Sequence, residues 1–224
     1  MKKVLLSAVA LFVFGVASAQ VKFGVKGGVN FATFTGAGAD LIDAKMKVGF
    51  NVGGFAEIKF NDKFALQPEL LYSLQGAKGV STDSNGLLNS SEDVKQNLSY
   101  LNVPVMVKFY PIKSLYVEAG PQVGFLVSAK EKTDGTEIDF NEVSGNEELV
   151  NVSTNEDVKD FYKSIDFDFN IGAGYEFTEN LFAGVRYSIG LTDVSDVPTT
   201  ISFFGVSGFE MKNNVLSLSL GYKF

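Results

Sequence analysis

The chain has 224 residues, a formal net charge of −7 and 46% hydrophobic residues, with neither Cys nor His. Without Cys it can form no disulfide, thiolate metal site or cysteine nucleophile. Without His it lacks Ser-His-Asp catalysis, His-ligated metals and the commonest general base. The acidic balance offers phosphates no concentrated basic face, which argues against nucleic acid as a partner.

Met1-Lys2-Lys3 is a short basic start, Val4 to Val16 is almost wholly apolar, and Ala17-Ser18-Ala19 supplies small residues before Gln20. These are the three parts of a secretory signal peptide, with cleavage expected after Ala19 and export through the Sec pathway. The apolar run falls short of the roughly 18 residues a spanning helix needs. No Cys follows the cleavage site, so an amino-terminal lipid anchor is excluded. Two segments are expected: residues 1–19 as signal peptide and 20–224 as one domain. Loss of Lys2 and Lys3 leaves 17 basic against 26 acidic residues, a net charge of −9. No later segment approaches a spanning helix, so any membrane role must come from strands.

From Val21 onward the chain alternates. The first strand runs to Phe34, with Val21, Phe23, Val25, Val29 and Phe31 on one face and Lys22, Gly24, Lys26, Gly28 and Asn30 on the other. The second, about Lys45 to Phe60, sets Val48, Phe50, Val52, Ala56, Ile58 and Phe60 opposite Asn51, Glu57 and Lys59. After the turn Asn61-Asp62-Lys63, the third runs from Phe64 to Ala77, with Phe64, Leu66, Leu70, Tyr72 and Leu74 facing away from Gln67, Glu69, Ser73 and Gln75. Gly79 to Asp93, rich in Ser, Asn, Asp and Gly, reads as a loop. The fourth strand spans Lys95 to Tyr110. The fifth, Leu115 to Lys130, follows a short Pro111–Ser114 turn.

Glu131 to Asp160 holds ten acidic residues and two Lys, a local net charge of −8. Such a block reads as a solvated loop. Weak divalent-cation binding by its clustered carboxylates is the sharper alternative, although Asp134-Gly135-Thr136-Glu137-Ile138-Asp139 does not match the calcium-loop pattern. The sixth strand, Phe161 to Thr178, alternates Ile165, Phe167, Phe169, Ile171, Ala173, Tyr175 and Phe177 with Asp166, Asp168, Asn170, Gly172, Gly174 and Glu176. A turn at Glu179-Asn180 leads to the seventh, Leu181 to Thr192, and Asp193 to Met211 forms a last long loop. In the eighth, Leu216, Leu218, Leu220, Tyr222 and Phe224 alternate with Ser217, Ser219, Gly221 and Lys223. That strand pairs most economically with the first, closing a barrel and removing open edges.

Period 2 does not say which face is inside. A soluble lipocalin-like barrel would bury the apolar face, and a membrane barrel would turn it to lipid. Three features favour the membrane barrel. Connections alternate between short turns and long loops, as in outer-membrane barrels. The polar face balances Lys22, Lys26, Lys59, Lys108, Arg186 and Lys223 against Glu57, Glu69, Glu118, Asp166, Asp168 and Glu176, as a closed interior requires. Phe23, Phe60, Phe64, Tyr72, Phe109, Tyr187, Tyr222 and Phe224 fall near strand ends, where interfacial girdles lie. The expected fold is all-β: an eight-stranded antiparallel up-and-down transmembrane β-barrel with short periplasmic turns and long extracellular loops.

Phe64-Ala65-Leu66-Gln67-Pro68-Glu69-Leu70-Leu71-Tyr72-Ser73, Tyr100-Leu101-Asn102-Val103-Pro104 and Leu115-Tyr116-Val117-Glu118-Ala119-Gly120-Pro121-Gln122 resemble the outer-membrane β-barrel domain of the PorT/porin-like family. The resemblance covers essentially the whole mature chain and implies an outer-membrane location. It is nearly silent on activity, although some relatives are linked to protein secretion.

The expected role is structural or interactive, carried by extracellular loops that meet a protein or surface partner while the strands meet outer-membrane lipids. The alternatives are a narrow passive channel for small solutes and an accessory component of protein secretion. No enzyme, catalytic residue, cofactor or metal-site residue is expected. Two details stay open at this stage. Pro68, Pro104 and Pro121 lie inside strands, where a bulge or local gap competes with a lateral opening. Arg186 is expected to pair inside the barrel, with Glu176 as first partner and Asp168 as second.

Overall fold

Strand side chains alternate between two faces, so one outward apolar row and one inward polar row per strand are enough to build a barrel in lipid. The structure, a computed structural model, describes residues 20–41, 44–83, 90–140, 147–196 and 210–224. The expected signal peptide lies outside the described residues, as does most of the last long loop. The strands are β1 (Gln20–Thr35), β2 (Lys45–Lys59), β3 (Phe64–Gln75), β4 (Ala77–Asp83), β5 (Ser90–Ile112), β6 (Leu115–Phe140), β7 (Glu147–Asp157), β8 (Ile165–Glu176), β9 (Leu181–Gly190) and β10 (Lys212–Lys223). One short helix, α1 (Ala37–Leu41), follows β1, and a single 3₁₀ turn, Lys159–Phe161, precedes β8.

Eight of these strands form the ring, in the order β1-β2-β3-β5-β6-β8-β9-β10. It closes through antiparallel pairing of β1 with β10, from Gly24 opposite Lys223 to Thr35 opposite Lys212. Three tight turns lie at one end. Asn61 caps the first, its Oδ1 accepting from the Lys63 and Phe64 N–H groups at 2.8 and 2.9 Å. Thr178 does the same for Asn180 and Leu181 at 3.2 and 2.9 Å. The asymmetry of outer-membrane barrels makes this turn end periplasmic.

Burial decides which face is inside. Leu218 and Leu220 on β10 are 50% and 61% exposed, while Lys223 on the same strand is 1% exposed and Lys108 and Glu57 are fully buried. No water-soluble fold gains by hiding ammonium groups and displaying leucine; a barrel facing lipid does. Aromatic pairs gather near the turn end, as an interfacial girdle requires: Phe64–Phe109, Tyr175–Phe177 and Tyr222–Phe224, with ring centroids 5.2, 5.4 and 5.7 Å apart.

Two expected loops contain strand instead. Gly79–Asp93 supplies much of β4 and the start of β5, and Glu131–Asp160 supplies the end of β6 and all of β7. These segments leave the lipid, so neither face needs an apolar row and the period-2 signal is lost. The prolines create no bulge. Pairing of β3 with β5 is interrupted between Pro68–Val105 and Leu71–Asn102, and that of β5 with β6 between Pro104–Gln122 and Val107–Ala119, with register unchanged across both gaps. Pro68, Val105 and Pro121 therefore fall in one row across three strands. Shifts in register occur elsewhere on β5, at Ser99/Tyr100 and between Phe109 and Ile112.

Candidate functional site

The interior is layered. Nearest the turns, Phe55, Ala65, Tyr110, Tyr116 and Phe182 form an apolar floor. Several of these rings lie over inward glycines. Phe55 sits opposite Gly24 and Phe182 opposite Gly221, where an added Cβ would stand 2.3 and 2.2 Å from the ring. Tyr116 covers Gly174 in the same way. The glycines make room for rings that plug the barrel, which is a close-approach role no side chain could fill.

Charge is threaded through this floor. Glu57 accepts from Lys223 at 2.9 Å and Lys108 at 3.3 Å, with the Tyr110 hydroxyl at 3.1 Å and Lys59 at 3.6 Å. Lys223 also reaches Glu176 at 2.6 Å, and the Lys108 ammonium stands 4.0 Å from the centre of the Tyr116 ring.

Above it lies the Arg186 layer. The guanidinium donates through Nη1 and Nη2 to the two oxygens of Glu69 at 2.9 and 2.8 Å, and through Nε to Glu118 at 2.8 Å. Lys26 adds a contact to Glu69 at 2.9 Å. This corrects the expected pairing with Glu176 or Asp168. Arg186 is paired in register with Gly172, and Glu176 lies two inward positions nearer the periplasm, opposite Phe182. Gly172 has no side chain and is itself opposite Glu118 on β6, so Arg186 reaches over it. A Cβ there would stand 3.0 Å from the Glu118 Oε1. The fork geometry of arginine suits two carboxylates at once, and Arg186 is the only arginine in the chain.

Higher still is a layer of amides and hydroxyls. Asn30 donates to Ser73 at 2.9 Å and accepts from Asn51 and Ser217 at 2.6 and 2.8 Å. Lys47, buried and missing from the expected charge set, donates to the Gln75 carbonyl at 2.9 Å. Its parity with Asn51 on β2 marks it as inward. Lys22, which was counted inward, is only half-buried at the periplasmic rim. A small cavity of about 20 Å³, lined in part by Lys26, Asn51, Gln122 and Arg186, is left between these layers. That is room for about one water molecule. At the outer end Phe34, Ala39, Ala77, Leu98, Tyr100, Leu126, Ala129, Tyr162 and Val194 form an apolar cap.

Among the described residues, rings below and an apolar cap above fill the two ends of the lumen. Phe55, Leu71, Tyr100, Met106, Tyr116 and Phe182 are all buried there. Eight strands enclose just enough space for side chains. The purified protein is therefore expected to give no stable open pore in planar bilayers, and reproducible single-channel steps would contradict the filled interior.

Outside the barrel, β5 and β6 run 23 and 26 residues, far beyond the roughly 9–11 that cross a membrane. They continue together as far as Asp93 opposite Asp134, with β4 on one flank and β7 on the other. Asp134 latches this extension, accepting from Lys132 at 2.8 Å, Lys95 at 3.0 Å and Ser153 at 2.9 Å. Those donors, Lys132 foremost, hold its carboxyl well below the usual carboxylate range. The latch is thus fully present above the ordinary Asp value near 4 and is lost only as pH falls through the lowered one. Among the described residues no three acidic side chains converge on one point.

A buried-charge interior inside an apolar shell is an outer-membrane architecture, and the sequence agrees: the family model described as outer membrane protein beta-barrel domain matches residues 17–196. The chain belongs to this family. As a member of it, the chain is an outer-membrane β-barrel protein. No curated protein matches its sequence. Among solved structures it is similar to Ail, the attachment invasion locus protein of Yersinia pestis, in complex with the heparin analogue sucrose octasulfate, at 14% identity and TM-score 0.44, covering 92% of this chain and 99% of that one. Neisserial surface protein A matches at 15% identity and TM-score 0.44, over 92% and 99% of the two chains. CarO of Acinetobacter baumannii matches at 12% identity and TM-score 0.41, over 88% and 97%. Membership in the family rests on the match over residues 17–196 and on the barrel itself.

Proposed function

We propose that this outer-membrane barrel is a non-conducting, non-enzymatic interaction protein whose working surface is the sheet that β4, β5, β6 and β7 raise outside the membrane. The observation that carries this is strand length. A barrel needs β5 and β6 only to cross the lipid, and every residue beyond costs conformational entropy that nothing in the membrane repays. β7 pairs with β6 from Lys130–Asp157 to Phe140–Glu147, and among the described residues its other edge has no partner. An open edge of this kind accepts an added strand through main-chain hydrogen bonds. β7 carries Glu147, Glu148, Glu156 and Asp157 and no basic residue, so the fitting partner is an extended segment bearing Lys or Arg. The acidic stretch thus works as a strand edge in this reading, ahead of weak cation binding. Export by the Sec pathway and a PorT-type relationship, supported by residues 1–19 and by the three quoted segments, complete the reading.

Replacing residues 135–152 with an Asn-Gly turn tests it. The shortened barrel should keep the wild-type urea midpoint in detergent, because the barrel pairings remain. Crosslinking in the native membrane should then lose the partners captured by the intact protein. Equal capture by both forms would remove the hairpin from the function.

A further inference from the structure

Among the described residues, two carboxylates inside the barrel have no cation partner. Asp166 and Asp168 share the inward face of β8 and are 2% and 5% exposed. The basic side chains of the interior are all engaged elsewhere: Lys26 and Arg186 with Glu69, and Lys59, Lys108 and Lys223 with Glu57. Lys47, the nearest in height, is held at the Gln75 carbonyl. Residues 42–43, 84–89, 141–146 and 197–209 contain no Lys or Arg, so no undescribed residue after Gln20 supplies the missing charge. Protein donors to the pair are few. Thr192 donates to Asp166 at 2.6 Å, with the Asn213 amide beside it, and Gln122 donates to Asp168 at 2.7 Å. Two carboxylates present about eight acceptor positions.

A second observation points the same way. Among the described residues, the Tyr100 hydroxyl and the Asn213 Oδ1 have no hydrogen-bond partner, although each residue is only 1% exposed. Both lie beside the pair. Tyr100 packs across Gly124 from Asp166, and its hydroxyl sits in the field of both carboxylates. Asn213 spends its amide N–H groups on Gln75 and Asp166, and its backbone lies against Gly190, which is paired with Asp168. Four oxygen-bearing side chains from β5, β8 and β10 therefore meet with too few donors among them. Acceptor-rich, charge-uncompensated clusters of this kind are what hard cations fill, and buried polar atoms left unpaired are otherwise costly.

We propose that Asp166, Asp168, Tyr100 and Asn213 form an occluded binding site for one calcium ion beneath the outer cap of the barrel. All four ligands offer oxygen and none offers nitrogen or sulfur, which disfavours zinc and copper. Carboxylate, amide and hydroxyl oxygens drawn irregularly from three strands suit the flexible coordination of calcium better than the strict octahedron of magnesium. The ion would neutralise the pair and tie β5, β8 and β10 together below the apolar cap. This site is separate from the acidic outer hairpin.

The test refolds the full chain in detergent with calcium chloride or with EGTA. One calcium per chain should survive desalting. At calcium a hundredfold above the dissociation constant, the folded-to-unfolded ratio in urea should rise about a hundredfold. The Asp166→Asn/Asp168→Asn variant should lose both effects and, in EGTA, unfold no earlier than the wild type. Retention of calcium by that variant would place the binding elsewhere and overturn the proposal. So would a wild type that ignores calcium and is stabilised by mild acid instead, which would mean shared protons. If the double variant does not fold, Asp168→Asn alone serves. A wild type that retains no calcium overturns the proposal without any variant.

Discussion

Replacing Arg186 with Met is expected to destabilise the barrel by about 3 kcal/mol or more, the scale for removing one partner of a buried ion pair. The substitution keeps an unbranched apolar stem of similar reach, so packing changes little and the charge is what disappears. Glu69 and Glu118 are then left in the interior, Glu69 with Lys26 at 2.9 Å and the Gln67 amide at 2.7 Å, and Glu118 without its arginine. Urea unfolding in detergent reads the loss directly. Combining Arg186→Met with Glu118→Gln should recover much of it, because the neutral amide no longer needs the guanidinium and Glu69 keeps Lys26. Arg186→Lys should recover less, since one ammonium cannot serve two carboxylates with a fixed fork. An Arg186→Met variant that unfolds at the wild-type midpoint would mean the side chain is solvated and the interior is not filled.

Glu57→Leu is expected to cost as much, about 3–5 kcal/mol, for the opposite reason. Glu57 is the anion around which Lys108, Lys223 and Lys59 gather. Lys223 keeps Glu176 at 2.6 Å after the substitution, but Lys108 is fully buried and loses its ion-pair partner. A lone ammonium among Tyr116 and Phe182 retains only the attraction of the ring faces, about 1–2 kcal/mol. Adding Lys108→Met to Glu57→Leu should restore most of the stability, and the coupling in that double-mutant cycle measures the pair. Additive losses would show that the two side chains act independently.

The strands that cross the lipid were legible because lipid imposes a rule on each residue. Leu216, Leu218 and Leu220 alternate with Ser217 and Ser219 without a break, so parity separates the two faces. Parity puts Lys26, Glu57, Glu69, Lys108, Glu118, Arg186 and Lys223 on one face, and their charge balance marks that face as the interior. Lys47 escaped notice because it lies where the apolar row of β2 is only beginning. The outer halves of β5, β6 and β7 were unreadable for the same reason in a stronger form. Thr133 to Gly135 or Ser153 to Asn155 show no apolar row, as a sheet beyond the lipid does not require one. The partners of Arg186 could not be read at all. They lie across the lumen on β3 and β6, and strand tilt and stagger decide which heights meet. Sequence adjacency suggested β8 instead, where the registered neighbour is Gly172. The three prolines were half readable: the missing donors implied a gap, but only the pairing shows that Pro68 and Pro121 share a row.

The central claim is that apolar faces meet lipid while charge is shut inside. The chain has no Cys, so single cysteines report cleanly. With the protein reconstituted in vesicles, cysteines replacing Leu216, Leu218 and Leu220 should react with thiol probes carried on lipid. Cysteines replacing Ser217 and Ser219 on the same strand should not react. Labelling confined to the serine positions would reverse the barrel's two faces and contradict the account.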